Sequence, residues 1–326
     1  MDKKPFISII TPTYNRAKLL EVAILSVASQ KTEIPFDWEM IIVDDGSSDN
    51  TRDIVNKYMG IYPKNIKYFW QEDKWNRVGR ARNIALSNLN KGSDYLIFLD
   101  SDDELIEDCF FTCLKKCEEL KLRWEYDSIV RIYYFCKTQV GKLVGTKRIL
   151  SWKQEIYLTY HDFLQNKIKF EFGVFCKSKY FLENSWFRFS ETVINELVLV
   201  SKMYQYFNKH WLKCLIIDYV GRIYRIWYWI QITKTISLER FKNNAIWNEK
   251  VLEIIWSDLL KFWYGKSYWE YLFRIWINRI LYWNKQKWLL FMKRSLKYQF
   301  NLRNIFMYFL SSFSRQIVLL IYKIYI

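Results

Sequence analysis

Three carboxylates fall within four residues in the stretch SDYLIFLDSDDEL (93–105). Asp100, Asp102 and Asp103 follow directly on the apolar run Tyr95 to Leu99. Like charges this close repel at pH 7, so a counter-charge has to hold them. Two acids one residue apart at a strand end can reach the same ion from a bent backbone. Hard oxygen donors of this kind, Asp100 and Asp102, suit Mg²⁺ or Mn²⁺, with water and substrate phosphates completing the shell. The competing reading is the acidic start of a following helix, with Asp102 to Glu104 set against its dipole. Spacing alone does not separate the two.

The elements that would position these acids alternate in type. FISIITPTYN (6–15) reads as a β-branched strand stopped by Pro12, and RAKLLEVAILSVASQ (16–30) carries apolar residues at helical spacing. WEMIIVDD (38–45) is a second strand, and GSSDNTRDIVNKYM (46–59) a turn leading into a helix whose start is marked by Ser, Asp and Thr. NIKYFWQ (65–71), VGRARNIALSNL (78–89) and DYLIFLD (94–100) read as strand, helix and strand. This alternation means right-handed crossovers and a mostly parallel sheet flanked by helices, an α/β fold. Ligands of such sheets sit beyond the carboxyl ends of the strands. There the chain places TPTYNR, DDGSSDN, QED and DSDD, four polar clusters that converge on one crevice. No glycine-rich phosphate cradle is present, which disfavours a dinucleotide site or an NTPase loop. A nucleotide would be held by side chains instead: Tyr14 for stacking, Asp44 or Asp45 for a base N–H or ribose hydroxyl, and Arg82 for a charge-assisted bond.

Taken in order, ISIITPTYNR, WEMIIVDDGSSDNT, RARNIAL and YLIFLDSDDEL closely resemble a family 2 glycosyltransferase of the GT-A fold over about residues 5–110, and more loosely to about 235. The resemblance implies a nucleotide-diphosphate sugar donor, most often UDP-linked, a divalent metal, Mn²⁺ or Mg²⁺, and inversion at the anomeric carbon. It assigns Tyr14 and Asp44 to the base and Arg82 to support of the nucleotide. Thr11, Asn15, Arg16 and Asp45 complete the nucleotide-binding set. Asp100 and Asp102 become the two acids of a D-x-D motif, with Asp102 the main metal ligand and Asp100 facing ribose or metal-bound water. The family's base lies in a Glu-Asp pair that opens a helix. Here Glu196 takes the first place and Leu197 stands where Asp is usual, so Glu196 is the expected catalytic base and Glu191 the weaker candidate. A Glu196 that merely caps a helix would leave a degenerate protein that binds nucleotide sugar, or scaffolds a glycan-assembly complex, without turnover. YRIW (224–227) departs from the family a second time, with Trp227 in place of a His.

Charge is unevenly spread. Residues 1–220 carry 32 Lys and Arg against 29 Asp and Glu, whereas residues 221–326 carry 18 against 5. The basic third, in which apolar and aromatic stretches are broken by single cations, reads as helical, with no clean membrane span. It suits an interfacial position on an anionic membrane more than nucleic acid, for which no motif is present. The expected organisation is therefore a GT-A domain over 1–220 and a helical extension over 221–326 suited to associate with a membrane. It places the protein in the cytoplasm at the inner face of the cell membrane, acting on a glycan or lipid-linked acceptor in surface polysaccharide synthesis. Six cysteines without a paired framework fit a reducing compartment. Cys109, Cys113 and Cys117, four apart, read as one buried helix face. Gly numbers 9 against 16 Trp, while about 7% of an ordinary chain is glycine. Trp75 in EDKWNRVGR and Trp186 in ENSWFRF stand where turns favour glycine. Some Trp are thus expected to be glycine codons read otherwise, since some bacteria read UGA as glycine.

Overall fold

The computed structural model describes residues 3–72, 78–144, 155–165, 172–190, 196–225 and 238–261, with residues 271, 274 and 275. The chain divides into two compact units, Met1–Tyr228 and Trp229–Ile326. The first opens with β1 (Phe6–Thr13), α1 (Ala17–Ala28), β2 (Asp37–Asp44), α2 (Thr51–Ile61), β3 (Ile66–Trp70), α3 (Val78–Ser87) and β4 (Tyr95–Phe98). It continues through β5 (Glu104–Leu105), α4 (Cys109–Leu122), β6 (Ile129–Thr138), β7 (Glu155–Leu158), α5 (Tyr160–Leu164), β8 (Phe172–Lys177), α6 (Lys179–Glu183), α7 (Leu197–Lys209) and β9 (Lys213–Tyr224). Residue 220, the expected boundary, falls inside β9.

The strands form one mixed sheet in the order β3-β2-β1-β4-β8-β6-β9-β5, with β7 paired to β9. β1 to β4 are parallel, and β8 joins β4 antiparallel. Continuous apolar strands in a parallel sheet must be covered on both faces; accordingly Ile7, Ile9, Ile10 and Met40 to Val43 are wholly buried. Leu20, Ala23, Ile24 and Val27 make the buried stripe of α1, at the spacing of one helix face. Cys109, Cys113 and Cys117 lie on the buried face of α4, and all six cysteines are free and buried.

Pro12 does not stop the first strand. β1 pairs with β2 as far as Thr13 opposite Asp44. Ile10 accepts a bond from Leu99 on the β4 side, whereas Thr13 accepts one from Asp45 on the β2 side. Backbone groups alternate between neighbours along a strand, so Pro12 turns its missing N–H toward β4, which has already ended. Proline is tolerated where no ladder bond is due.

A second attachment holds the segment after β4. β5 pairs antiparallel with β9, Glu104 opposite Ile223 and Leu105 opposite Arg222, and the Ile106 N–H donates to the Gly221 carbonyl at 2.9 Å. Gly221 leaves room for the Tyr134 ring, from which a Cβ there would lie 2.6 Å away. The acidic segment is therefore strung between β4 and β9.

In the second unit α8 (Leu238–Lys261) buries Val251, Leu252, Ile255 and Leu259, again one helix face. No helix among the described residues is long and apolar enough to cross a membrane.

Candidate active site

The ends of β1 to β4 meet along one edge of the sheet, and the crevice they form is built chiefly by hydrogen-bonded turns. Asn15, just past β1, adopts a left-handed conformation with φ 49°, which asparagine tolerates better than most residues. Its N–H donates to Ser47 Oγ and its Oδ1 accepts from the Ser48 N–H, both at 2.8 Å. Asn15 thus ties the β1 turn to the β2 turn. Asp49 does the same for α1 and α2, accepting from the Ala17 and Thr51 N–H groups at 3.1 Å.

The expected nucleotide residues divide in two. Tyr14 presents a half-exposed ring at the mouth of the crevice. Thr11 is wholly buried inside β1. Asp44 is 1% exposed, with one oxygen accepting from the Ser47 N–H at 2.8 Å and the other from the Tyr68 hydroxyl at 2.7 Å. Its carboxylate holds the turn, and Asp45, which accepts from Gln71 Nε2, lies nearer the surface.

The counter-charge on the acids comes from arginines. Asp102 pairs with Arg16. Asp100 accepts from Arg82 Nη2 at 2.8 Å through one oxygen and from Arg222 Nη2 at 3.2 Å through the other. Asp103 pairs with Arg222 and accepts from the Arg225 N–H at 3.0 Å, and Glu104 faces Arg225 at 3.4 Å. The helix-start alternative fails: α4 begins only at Cys109 and has no acid in its first turn.

Arg82 reaches a further acid. Its other terminal nitrogen pairs with Glu196, so one buried guanidinium joins the end of β4 to the residue before α7. Glu196 occupies the N-cap position of α7, yet its side chain makes no capping bond. The helix-cap reading of Glu196 is therefore not what its side chain does. Leu197 is the first residue of α7, and Glu191, Trp75 and Trp227 lie outside the described residues. The chain leading toward Glu196 is fastened to α3. Asn83 donates to the Phe189 carbonyl at 3.0 Å and accepts from its N–H at 2.8 Å. Gly79, lacking a Cβ, lets the Ser190 carbonyl come against the helix. Gly79, Arg82 and Asn83 recur at one helix face; Gly79 and Asn83 fasten residues 189 and 190, and Arg82 holds Glu196 to the crevice.

Five carboxylates (Asp100, Asp102, Asp103, Glu104, Glu196) thus face four guanidiniums (Arg16, Arg82, Arg222, Arg225). The electrostatics carry that deficit. Burial pushes the Asp102 carboxyl above its usual range, with Arg16 only partly offsetting it. Burial likewise pushes Asp103 up to about 6 against the pull of Arg222. Burial also acts on Asp100, but Arg82 and Arg222 outweigh it and hold that carboxyl below its usual range. The cluster has room for more positive charge. Asp102 bears a single guanidinium and keeps an 18% exposed side chain, so of the expected pair it is the acid whose oxygens suit a divalent cation, whereas both oxygens of Asp100 already accept from arginine. No group of three or more His, Cys, Asp or Glu suited to a metal occurs among the described residues. Phosphate and water would complete such a shell.

Arg222, Arg225 and Asn83 were not foreseen. For Arg222 a signal existed: a lone arginine within the apolar run YVGRIY needs a buried acid.

Residues 8–178 match the family described as Glycosyl transferase family 2. The chain is 31% identical over 225 residues to the GalNAc(5)-diNAcBac-PP-undecaprenol beta-1,3-glucosyltransferase of Campylobacter jejuni, covering 68% of this chain and 65% of that one. It is 41% identical over 105 residues to the putative teichuronic acid biosynthesis glycosyltransferase TuaG of Bacillus subtilis, covering 32% and 39%. Among solved structures, S. aureus TarS 1–349 in complex with UDP-GlcNAc aligns with a TM-score of 0.57 at 20% identity, over 77% of this chain and 67% of that one. The mannosyltransferase PcManGT from Pyrobaculum calidifontis, in complex with GDP-Man and Mn²⁺, aligns at 0.52 and 14% identity, over 93% and 78%. At these identities the two structures show the GT-A-like fold alone. The chain spans 65% of the length of the C. jejuni enzyme and 21% of that of the minor teichoic acid biosynthesis protein GgaA of B. subtilis.

Proposed function

The chain belongs to glycosyl transferase family 2, and from that premise we propose that it moves a sugar from a nucleotide-diphosphate sugar, a UDP-sugar first of all, to a hydroxyl of a glycan or lipid-linked acceptor, with inversion. The observation that carries this reading is Arg82. By pairing with Asp100 and Glu196 at once, it sets a proton acceptor beside the acids that suit a metal-bound diphosphate.

Glu196, 57% exposed, accepts the proton of the attacking acceptor hydroxyl, the role of a general base. Arg82, paired with that carboxylate, holds it in place. Tyr14 offers its ring to the base, and Arg16 lies where it can meet phosphate charge. Asp102 and Asp100 would hold Mn²⁺ or Mg²⁺, whose chemistry is to neutralise the departing diphosphate. An inverting transfer needs this one displacement only.

Leu197 supports the rival reading, a protein that binds nucleotide sugar without turnover. Release of UDP from a panel of UDP-sugars in Mn²⁺ separates the two. Turnover above the spontaneous rate is expected with at least one donor. UDP that binds, with no release from any donor in the presence of lipid-linked acceptors, would favour the rival. The basic C-terminal third, with 18 cationic against 5 acidic residues, supports a peripheral position on the anionic inner face of a membrane, where a lipid-linked acceptor would be met.

A further inference from the structure

We propose that Arg222 is a positioning residue that fixes the Asp100 carboxylate from the β9 side; the role it serves rests on the functional reading above. Arg222 lies within β9, opposite Leu105 of β5 and Cys136 of β6, and is 8% exposed. A single nitrogen, Nη2, donates to both Asp103 and Asp100. Asp103 keeps a side chain only 2% exposed and also accepts the Arg225 N–H, so it faces the protein and no ligand. Asp103 and Arg222 make a buried post. From that post Arg222 reaches one oxygen of Asp100 while Arg82, on α3, reaches the other. Asp100 is held from α3 and from β9, and its carboxylate cannot turn without breaking one of these bonds. Unlike Arg82, Arg222 has no bond to Glu196, so it acts on the strand-end acids alone. Groups one step behind a metal-binding carboxylate orient it in this way.

The test uses a charge-neutral exchange, because removing Arg222 alone strands the buried Asp103. In the paired variant Arg222→Gln with Asp103→Asn, two amides replace the ion pair and Asp100 loses one of its holds. Backbone hydrogen exchange over residues 99–106 of the unliganded protein is expected to accelerate, while exchange in β1 and β2 stays as in the parent. UDP affinity in Mn²⁺ is expected to fall by about 10–100-fold. Asp103→Asn alone, in which Arg222 still reaches Asp100, is expected to lose less. Unchanged exchange over 99–106 in the paired variant overturns the proposal, as does unchanged UDP affinity. A parent that binds no UDP would remove the functional reading, and the exchange experiment would still decide the positioning. Should the pair fail to fold, Arg222→Lys, which keeps the charge but loses the planar fork, takes its place with the same two readouts.

A separate observation carries a second inference: we infer that Trp124 and Trp211 stand where the chain made by the cell carries glycine. Both have positive φ, 60° and 56°, a conformation shared among the described non-glycine residues only by Asn15. Each sits two residues past a helix, α4 ending at Leu122 and α7 at Lys209. The backbone bonds Glu125 N–H to Leu120 and Trp124 N–H to Lys121 close the first helix; Leu212 N–H to Phe207 and Trp211 N–H to Asn208 close the second. That pair of bonds is the Schellman ending, whose left-handed position is usually glycine. The indoles are 96% and 87% exposed, so no packing compensates a conformation that disfavours a Cβ. Trp186 has no positive φ and packs edge-on against Phe187 and Tyr206, so its place makes no such demand. A UGA codon decoded as glycine but translated as Trp produces this pattern. Sequencing peptides across 124 and 211 from the native protein is expected to read glycine at both, with UGA in the gene. Tryptophan at both positions, or UGG codons, overturns the inference.

Discussion

Glu196→Gln is expected to lower kcat by about 10²–10⁴-fold, the usual span of a general base, while UDP binding in Mn²⁺ stays close to the parent's. Gln is near in shape and still offers Arg82 an acceptor oxygen, so the joint between the end of β4 and α7 is retained. It cannot take a proton at neutral pH. Glu196 is more than half exposed, so its replacement should leave the melting temperature almost unmoved. The fall belongs in kcat, because the proton leaves the acceptor hydroxyl in the transition state and not on donor binding. An unchanged kcat would place the base elsewhere, with Glu191 the next residue to replace. The experiment also bears on Leu197: a full loss in Glu196→Gln would mean that one carboxylate suffices where the family pattern has two.

Arg82→Met should have the largest effect on stability. Arg82 is 7% exposed, donates to Asp100 and Glu196 and lies 5.2 Å from the centre of the Phe189 ring. Methionine keeps most of the length and the apolar contact but removes the charge. Asp100 would then keep only Arg222, and Glu196 would lose its hold on the crevice. Asp100 and Glu196 keep 38% and 57% of their side chains exposed, so water takes over part of the guanidinium's role. The cost is expected at about 1–3 kcal/mol, below the roughly 3–5 kcal/mol of a fully buried pair. A lower urea midpoint at unchanged slope would show it. Arg82→Lys should recover part of the stability but little of the activity, since a point charge cannot serve both carboxylates with the geometry of a fork. A midpoint within experimental error of the parent's would mean that the bridge contributes nothing to the fold.

The alternating strands and helices of the first hundred residues were legible because the sheet's interior is apolar on both faces. Ile7 to Ile10 and Met40 to Val43 leave no other reading. The strand-end polar clusters were legible for the same reason, since charged residues directly after such runs must lie at an edge. What could not be read was which polar residue faces ligand and which faces protein. Asp44 looks like a ligand group in sequence, yet Ser47 and Tyr68 occupy both its oxygens. Pro12 looks like a stop until β4 is seen to end beside it. The neutralisation of Asp100, Asp102 and Asp103 comes from Arg16, Arg82 and Arg222, residues separated from them by 18 to 122 positions. Local spacing around the acids does not name these partners, even where a lone arginine such as Arg222 signals that it needs one, because the sheet order brings them together.

The proposed transfer requires the acids at the end of β4 to hold a divalent cation together with a nucleotide diphosphate. Calorimetric titration of UDP, with and without Mn²⁺, on the parent and on Asp102→Ala tests it most directly. UDP is expected to bind the parent far more tightly in Mn²⁺, and Asp102→Ala to lose that metal dependence. UDP binding that is indifferent to Mn²⁺, or equally metal-dependent in Asp102→Ala, would contradict the account and return the cluster to its arginines alone.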